Sequence, residues 1–263
     1  MRFRLAPGAE AAGYRIKSYD SVGSTNAEAM ALGRAGEPGR LWVVSRDQTA
    51  GHGRRGRSWA AAPGNLAASL LLKGSWPPAV AATLGFVAGV ALRDALAAVA
   101  PAASFRLKWP NDLLADGAKL AGILLETETA AQDQRIVVVG IGVNATTSPR
   151  EVPYPATSLA ELGHAIAAET VFAALTESWA AGARLWDEGR GMAAIRARWL
   201  AGAAGLGHDI AIRIGADNLR GTFETIDDAG QLILRSPNGT TRAIAAGDVH
   251  FGSAATAREL AQL

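Results

Sequence analysis

The sequence predicts an α+β fold, in which a mixed sheet flanked by helices precedes a small all-β unit. Between residues 14 and 144, short apolar or β-branched runs alternate with segments of helical periodicity. Residues 169–200 are helical in pattern, whereas only short strand-like runs remain from residue 208 onward. The composition changes at residues 202–207, so we expect one domain over residues 1–203 and a second over 204–263.

The composition is that of a globular protein and excludes several function classes. Apolar residues make up 49% and charged residues 19% of the 263 positions. The chain has no cysteine, which rules out disulfides, thiolate metal sites and a cysteine nucleophile. The N-terminus lacks the apolar run of a signal peptide, and no uninterrupted run of about 18 apolar residues is present, so we expect a cytoplasmic protein. A net charge of +2 is too small to indicate nucleic acid as the main partner.

The first half of the chain reads as three strands, a basic loop and two helices. The short helix opens with a capping box formed by Thr25 and Glu28, and the long helix opens at Pro77 and Pro78. The expected strands are 14–20, 41–45 and 66–72, and the expected helices are 25–32 and 77–98.

The second half contains a hairpin, the best candidate for a central strand, and the C-terminal strands. Asp116 and Gly117 form a hairpin turn signal within residues 113–125, after a strand at 105–109. The run 135–144 is strongly β-branched and therefore suits a central strand. A second capping box, Ser158 with Glu161, predicts a short helix after a proline-containing loop. The remaining expectations are helices at 169–188 and 192–200 and a small antiparallel barrel with strands at 208–214, 219–226, 231–235, 241–245 and 248–251.

Residues 51–59, GHGRRGRSW, have the most unusual composition in the chain. Three glycines and three arginines share these nine positions, with no acidic residue. Glycine allows the backbone to approach a ligand closely, and arginine offers a planar fork of donors for carboxylates and phosphates. The loop therefore predicts a clamp for a small anion, with a solvated turn as the alternative.

Two further stretches join this loop in one site hypothesis. Only four of the 26 basic residues are lysines, and two of these, Lys108 and Lys119, flank the predicted hairpin. Asp112 is a candidate to share Mg²⁺ with phosphates. Neither a P-loop nor a dinucleotide-binding glycine motif is present. These residues alone predict a site for an anionic, nucleotide-like ligand, and they do not name a second substrate.

The motifs resemble those of the biotin protein ligases. The resemblance rests on four segments in order: GHGRRGRSW at 51–59, KWPND at 108–112, KLAGIL at 119–124 and GIGVN at 140–144. It implies a catalytic domain related to class II aminoacyl-tRNA synthetases, followed by an SH3-like barrel. It also implies an enzyme that makes biotinyl-5′-adenylate from biotin and ATP with Mg²⁺, and transfers biotin to a lysine of a biotin carboxyl carrier domain.

The resemblance also implies roles for individual residues. Lys119 and Arg54 would be catalytic, and Asp112 would lie near the metal. The biotin site would comprise Ser24, Thr25, Asn26, Gln48, His52, Gly53, Arg54 and Lys119. The ATP or adenylate site would comprise Arg54, Arg55, Arg57, Trp59, Asn111, Asp112 and Asn144. For Ser24, Thr25 and Asn26, helix capping alone is the alternative.

This chain departs from the family pattern in three places. His52 stands where many members have arginine, and loop 145–157 has no tryptophan to cover an adenine. The chain begins almost at the catalytic domain, so we expect a ligase without a DNA-binding domain. Edge strands would allow a homodimer.

Two other functions remain open from the sequence. A lipoate or octanoate ligase or transferase shares the implied catalytic fold. A non-catalytic nucleic-acid-binding module would use Arg54, Arg55 and Arg57 on phosphates instead.

Overall fold

A computed structural model of the protein describes residues 2–59, 62–130, 133–215 and 217–251. These residues form two β-sheets and the helices that pack on them. The larger sheet has seven strands in the order β1-β2-β3-β7-β6-β5-β4. Its strands are β1 (Arg15–Val22), β2 (Leu41–Gln48), β3 (Leu66–Gly74), β4 (Phe105–Lys108), β5 (Asp112–Ala115), β6 (Ala118–Thr129) and β7 (Arg135–Val143).

The sheet is mixed, as the sequence predicted. Strands β1 and β2 are parallel, whereas every other neighbouring pair is antiparallel. Strand β7 is the fourth of the seven and pairs along its whole length with β3 and β6, which confirms the expected central strand. The predicted hairpin joins β5 to β6, and both Asp116 (φ 49°) and Gly117 (φ 78°) have the positive φ that a tight hairpin turn requires.

Helices cover the two faces of this sheet unequally. They are α1 (Pro7–Ala11), α2 (Thr25–Arg34), α3 (Pro78–Ala82), α4 (Leu84–Val99), α5 (Ala168–Trp186) and α6 (Met192–Ala201). Alternation along β2 shows the two sides: Trp42 packs edge-on against Trp179 of α5, whereas Val43 packs with Met30 of α2. The α4–α5 side carries the larger core. The ten-residue helix α2 covers only part of its face, and the candidate site lies on the remainder.

The predicted helix at 77–98 is interrupted at Thr83. The Thr83 hydroxyl donates to the Val80 carbonyl at 2.6 Å and accepts the Trp186 indole N–H at 2.8 Å. Such bonding back to the helix backbone competes with helical continuity. The combined segment Pro78–Val99 is long and apolar enough to cross a membrane, but 67% of its apolar window is buried, as in a core helix.

Both capping predictions need correction. Ser24, and not Thr25, is the N-cap of α2, because its hydroxyl accepts the Ala27 N–H at 3.3 Å. Ser158 does accept the Glu161 N–H at 3.2 Å, but residues 159–163 form turns instead of a helix. The turns end at Gly163, whose φ of 83° is incompatible with a right-handed helix.

The second sheet is antiparallel and lies at the C-terminal end of the chain. Its strands are β8 (Asp209–Ile214), β9 (Asp217–Ile226), β10 (Leu232–Arg235), β11 (Thr241–Ile244) and β12 (Asp248–Phe251), in the order β11-β10-β9-β8-β12. It packs on the first unit through the Trp199–Phe223 ring contact and a 3.0 Å bond from Trp109 Nε1 to the Gly230 carbonyl. Trp109 precedes Pro110 through a cis peptide bond.

Candidate active site

A strip of three glycines forms the floor of the candidate site. Gly140 and Gly142 point to the α2 face of β7, Gly140 beneath the first turn of α2, and Gly122 of β6 pairs with Gly142. A Cβ added at Gly140 would stand 2.2 Å from Asn26 Oδ1, and one at Gly142 would stand 2.4 Å from the Trp59 ring. The missing side chains therefore let Asn26 and Trp59 lie directly on the sheet backbone.

A β-bulge places Lys119 on the same face as this floor. Residues three apart on a regular strand point to opposite faces. Strand β6, however, shifts register between the Leu113–Ala121 and Leu114–Lys119 pairs. A Cβ at Gly122 would accordingly meet the Lys119 Cε at 3.5 Å. A glycine within a strand often marks a bulge, and here the bulge lies two residues before Gly122.

Buried polar side chains form one end of the groove. Gln48 Oε1 accepts from the Thr25 N–H at 2.9 Å and from the Thr25 hydroxyl at 3.0 Å. Ser69 Oγ lies 2.7 Å from Thr25 Oγ1 and 2.5 Å from Asn26 Oδ1. Asn26 Nδ2 donates to Glu126 Oε2 at 2.7 Å. Because all these groups bond one another, their positions are held before any ligand arrives.

Lys119 marks the other end of the groove. Its Nζ lies 2.7 Å from Asp112 Oδ1, and the two side chains are only 18% and 20% exposed. The ammonium also lies 5.7 Å from the centroid of the Trp59 ring and 5.3 Å from that of Tyr154. These contacts hold a cation at a fixed point beside the glycine floor.

A small cleft beside Lys119 contains the predicted Asn144. Its lining includes Trp59, Tyr154 and Pro149, so the loop at 145–157 forms one wall. Asn144 itself is 2% exposed, and its Nδ2 donates to the Thr157 carbonyl at 3.0 Å. The cleft continues the groove beyond the cation.

The loop at 51–59 folds back on itself as a small hairpin over the groove. His52 bridges Ser58, and the Gly53 N–H donates to the Arg57 carbonyl at 2.7 Å. Arg54 Nη1 donates to Asn111 Oδ1 at 3.2 Å. Burial is the main cause that lowers the pKa of Arg54 from its ordinary value, although a guanidinium stays charged at neutral pH. Arg54 therefore adds a second, half-buried positive charge near Asp112.

The remaining predicted residues divide between the groove and the C-terminal sheet. His52 Nε2 lies 3.5 Å from Glu126 Oε1, at the edge of the groove. Arg55 and Arg57, expected at the nucleotide, are both ion-paired with Asp248 of β12. Lys108 lies over the Phe251 ring, 5.4 Å from its centroid. Ser24 caps α2 and is not among the groups bonded at the polar end.

Sequence reasoning missed four residues that the fold brings to the site. They are Ser69, Glu126, Tyr154 and Asp248. Ser69 had a usable signal, since it is the only polar residue within the otherwise apolar run 66–72. The other three had none, because their partners lie far away in the sequence.

Asp112 is the only predicted metal-binding residue, and its carboxylate is engaged with Lys119. Within the part of the chain that the structure describes, no group of three or more His, Asp or Glu residues could hold a metal ion. Among the described residues, Asp112 is therefore not part of a larger ligand cluster. A cation that enters with a polyphosphate would owe most of its ligands to that phosphate.

The arrangement suits an elongated ligand with a polar head and an anionic tail. The head would meet the amide and hydroxyl groups near Asn26, and the tail would meet Lys119 and Arg54. Two fixed cations at one end favour a reaction in which negative charges approach each other.

Comparisons with known proteins point in the same direction. The sequence profile described as the Biotin/lipoate A/B protein ligase family matches residues 19–144, and that of the Biotin protein ligase C terminal domain matches residues 205–252. The Biotin--[acetyl-CoA-carboxylase] ligase of Paracoccus denitrificans is 44% identical over 237 residues, which cover 87% of this chain and 97% of the relative. The protein of that name from Mycobacterium tuberculosis is 36% identical, covering 87% and 85%.

A solved structure supports the fold. The biotin protein ligase from Aquifex aeolicus in complex with biotin and ATP superposes with a TM-score of 0.75, over 90% of this chain and 97% of the other. Its sequence is 23% identical, so this likeness speaks for the fold alone.

Proposed function

Because the chain belongs to the biotin protein ligase family, we propose that its groove joins biotin to ATP and then delivers biotin to a protein lysine. The acceptor is a biotin carboxyl carrier domain of a carboxylase, in keeping with the names of the relatives. The observation that carries the assignment is the order of groups along the site: the polar groups at Asn26, then the Trp59 ring on the glycine floor, then Lys119.

The ureido ring of biotin belongs at the polar end of the groove. A ureido group has two N–H donors and one carbonyl acceptor, and Thr25, Asn26, Gln48 and Ser69 supply matching amide and hydroxyl groups. The fused rings would rest against the Trp59 ring, which itself lies on Gly142 and Gly122. The valeryl chain would then bring the carboxylate to Lys119, with His52 and Gly53 bordering the groove.

Formation of the adenylate brings two anions together. A biotin carboxylate oxygen attacks the α-phosphorus of ATP, a new C–O–P bond forms, and pyrophosphate leaves. Lys119 would contact both the carboxylate and the α-phosphate, and Arg54 would neutralise the charge that develops between them. Asp112 and Asn111 hold these two cations in place before the substrates bind. Mg²⁺, when bound with ATP, supplies further neutralisation of the phosphates.

The nucleotide belongs in the cleft beyond Lys119. Trp59, Tyr154 and Asn144 line this cleft, and the two aromatic rings offer stacking surfaces to a base or ribose. Arg55 and Arg57 would have to leave Asp248 in order to contact a phosphate.

Transfer needs no nucleophile from the enzyme. The amine of the acceptor lysine attacks the carbonyl of the mixed anhydride, an amide bond forms, and AMP leaves with the bonding electrons. The contribution of the protein is to hold the anhydride away from water until the acceptor arrives. The loop at 51–59 is placed to do so, because Arg54 and Trp59 both lie over the groove.

We extend the proposal to the domain organisation. Residues 1–203 would form a catalytic domain related to class II aminoacyl-tRNA synthetases, and residues 204–263 an SH3-like barrel. The antiparallel order of β8–β12 and the family match over 205–252 support this division. We place the enzyme in the cytoplasm, where ATP is abundant.

The two alternatives fit the site less well. Lipoate ends in an apolar dithiolane, which could make no hydrogen bond to Thr25, Asn26 or Gln48, whereas the ureido group of biotin could. For a nucleic-acid module, Arg55 and Arg57 would need to face solvent phosphates, but both are paired with Asp248.

The assignment is tested by incubating purified protein with ATP, Mg²⁺ and either biotin or lipoate. We expect biotin, but not lipoate, to support pyrophosphate release and the labelling of one lysine of an isolated biotin carrier domain. A carrier domain whose lysine is changed to arginine is the matched control and should remain unlabelled. Labelling by lipoate but not by biotin would overturn the substrate assignment.

A further inference from the structure

Asp248 connects the C-terminal sheet to the tip of the active-site loop. Arg55 Nη1 and Arg57 Nη2 each lie 2.9 Å from the same Asp248 oxygen, Oδ2. Arg213 of β8 approaches that oxygen at 3.7 Å. The loop and Asp248 are about 190 residues apart in the sequence, so this contact exists only because of the fold.

The carboxylate at this point is held in its charged form. Asp248 is 21% exposed. Burial works to raise the pKa of Asp248, but Arg57, Arg55 and Arg54 together lower it below its ordinary value. The ion pairs are therefore present throughout the neutral pH range.

Apart from its own hairpin bonds, the tip of the loop is loosely packed at Gly56. Arg55 has a φ of 58°, a left-handed conformation that non-glycine residues rarely adopt. At Gly56 an added Cβ would find no atom within 4 Å, so the tip is not packed against a neighbouring element there. The two ion pairs with Asp248 therefore add, from the C-terminal sheet, to the Gly53–Arg57 backbone bond that closes the hairpin.

The direction of neighbouring side chains links this contact to the groove. Arg55 and Arg57 extend to Asp248, whereas Arg54 extends to Asn111 and Trp59 lies on Gly142. With Arg55 and Arg57 held by Asp248, the loop keeps Arg54 on Asn111 and Trp59 on Gly142. We propose that Asp248 is a positioning residue, which holds the loop over the groove from the C-terminal sheet.

The size of the expected effect follows from the exposure of the pairs. The side chains of Arg55 and Arg57 are 44% and 56% exposed. Each ion pair with Asp248 should therefore change the equilibrium between the closed and open loop by no more than about fivefold. Loss of both pairs should then open the loop about tenfold more often.

The position of the loop is tested without any substrate. Trypsin cleavage after Arg54, Arg55 or Arg57, followed by mass spectrometry, reports how often the loop opens. In Asp248→Asn we expect cleavage about tenfold faster than in the wild type, and in Asp248→Glu a smaller change. The matched control is Asp209→Asn on β8, whose carboxylate accepts from Thr222 and does not contact the loop. Wild-type cleavage in Asp248→Asn would overturn the proposal.

A second variant distinguishes loss of the ion pairs from a folding defect in the C-terminal sheet. Arg55→Gln with Arg57→Gln removes the same pairs from the loop side and leaves the C-terminal sheet intact. We expect cleavage after Arg54 to rise as in Asp248→Asn, and the thermal midpoint to stay near that of Asp209→Asn. Slow cleavage after Arg54 in this double variant would contradict the proposal.

The catalytic consequence rests on the proposed function. In Asp248→Asn we expect biotinyl-adenylate to escape from the enzyme about tenfold faster, with more labelling of bystander lysines. Adding Arg55→Gln and Arg57→Gln should cause no further escape, because the residues act as one unit. The positioning role would be contradicted if the three substitutions together released more adenylate than Asp248→Asn alone. It would also be contradicted if the adenylate stayed bound as in the wild type although the loop was cleaved faster. If the wild type makes no adenylate, the proposed function fails while the cleavage result still stands.

Discussion

Lys119 Nζ lies 2.7 Å from Asp112 Oδ1 across the β5–β6 hairpin, with each side chain about one-fifth exposed. The pair stands where the glycine floor ends and the cleft with Asn144 begins. Asp112 balances the charge of the Lys119 ammonium before substrates bind. An incoming carboxylate or phosphate can then replace Asp112 as the partner of Lys119. The β-bulge in β6 makes this arrangement possible, because it turns Lys119 toward the floor.

Gly140→Ala should block the polar end of the groove. The new methyl group would stand 2.2 Å from Asn26 Oδ1. Asn26 could move away only by losing its hydrogen bonds to Ser69 and Glu126. We expect KM for biotin to rise about 10-fold to 100-fold, from an overpacking cost of about 1–3 kcal/mol. Steady-state kinetics check this. Gly85→Ala, where an added Cβ meets no atom within 4 Å, should behave as the wild type.

Ser69→Ala should weaken both the fold and biotin binding. Ser69 is fully buried and bonds Thr25 and Asn26, so its loss leaves the buried Asn26 Oδ1 without this donor, whereas Thr25 keeps Gln48. We expect the free energy of unfolding to fall by about 1–3 kcal/mol and KM for biotin to rise. Denaturant unfolding and kinetics measure the two effects. The exposed Ser21→Ala is the control, and an unchanged KM in Ser69→Ala would exclude this network from the biotin site.

Arg54→Gly should release the adenylate prematurely. The guanidinium is half-buried over the groove and bonds Asn111, so its removal opens one side of the site. We expect bystander lysines on an added protein such as serum albumin to become biotinylated. Mass spectrometry of the labelled lysines checks this. Labelling still confined to the carrier domain would count against a retaining role for Arg54.

Local patterns in the sequence predicted most of the first sheet. The β-branched run of β7 and the Asp116–Gly117 turn depend on neighbouring residues alone, and both were confirmed. The interruption at Thr83 was not foreseen, because it depends on a bond to Trp186 about 100 residues away. The cap of α2 was misplaced by one residue, since Thr25 uses its hydroxyl on Gln48.

The site was predicted only in part, because short motifs reveal neighbouring residues and not distant partners. Lys119, Asp112 and Arg54 belong to short motifs, and the structure brings them together at one end of the groove. Arg55 and Arg57 belong to the same motif, yet their partner is Asp248 on a distant strand. A composition rich in arginine does not reveal which arginine faces the ligand. That distinction needs the tertiary contacts.

The most direct test of the account is biotin-dependent exchange of pyrophosphate into ATP by Lys119→Met. This assay measures adenylate formation without the acceptor protein. Methionine keeps most of the side-chain volume and removes the charge, so we expect a loss of about 100-fold to 1000-fold, the size seen when one such electrostatic contact is removed. Lys73→Met, at the far end of β3, should exchange as the wild type, and circular dichroism should show both variants folded. Exchange at the wild-type rate in folded Lys119→Met would contradict the account.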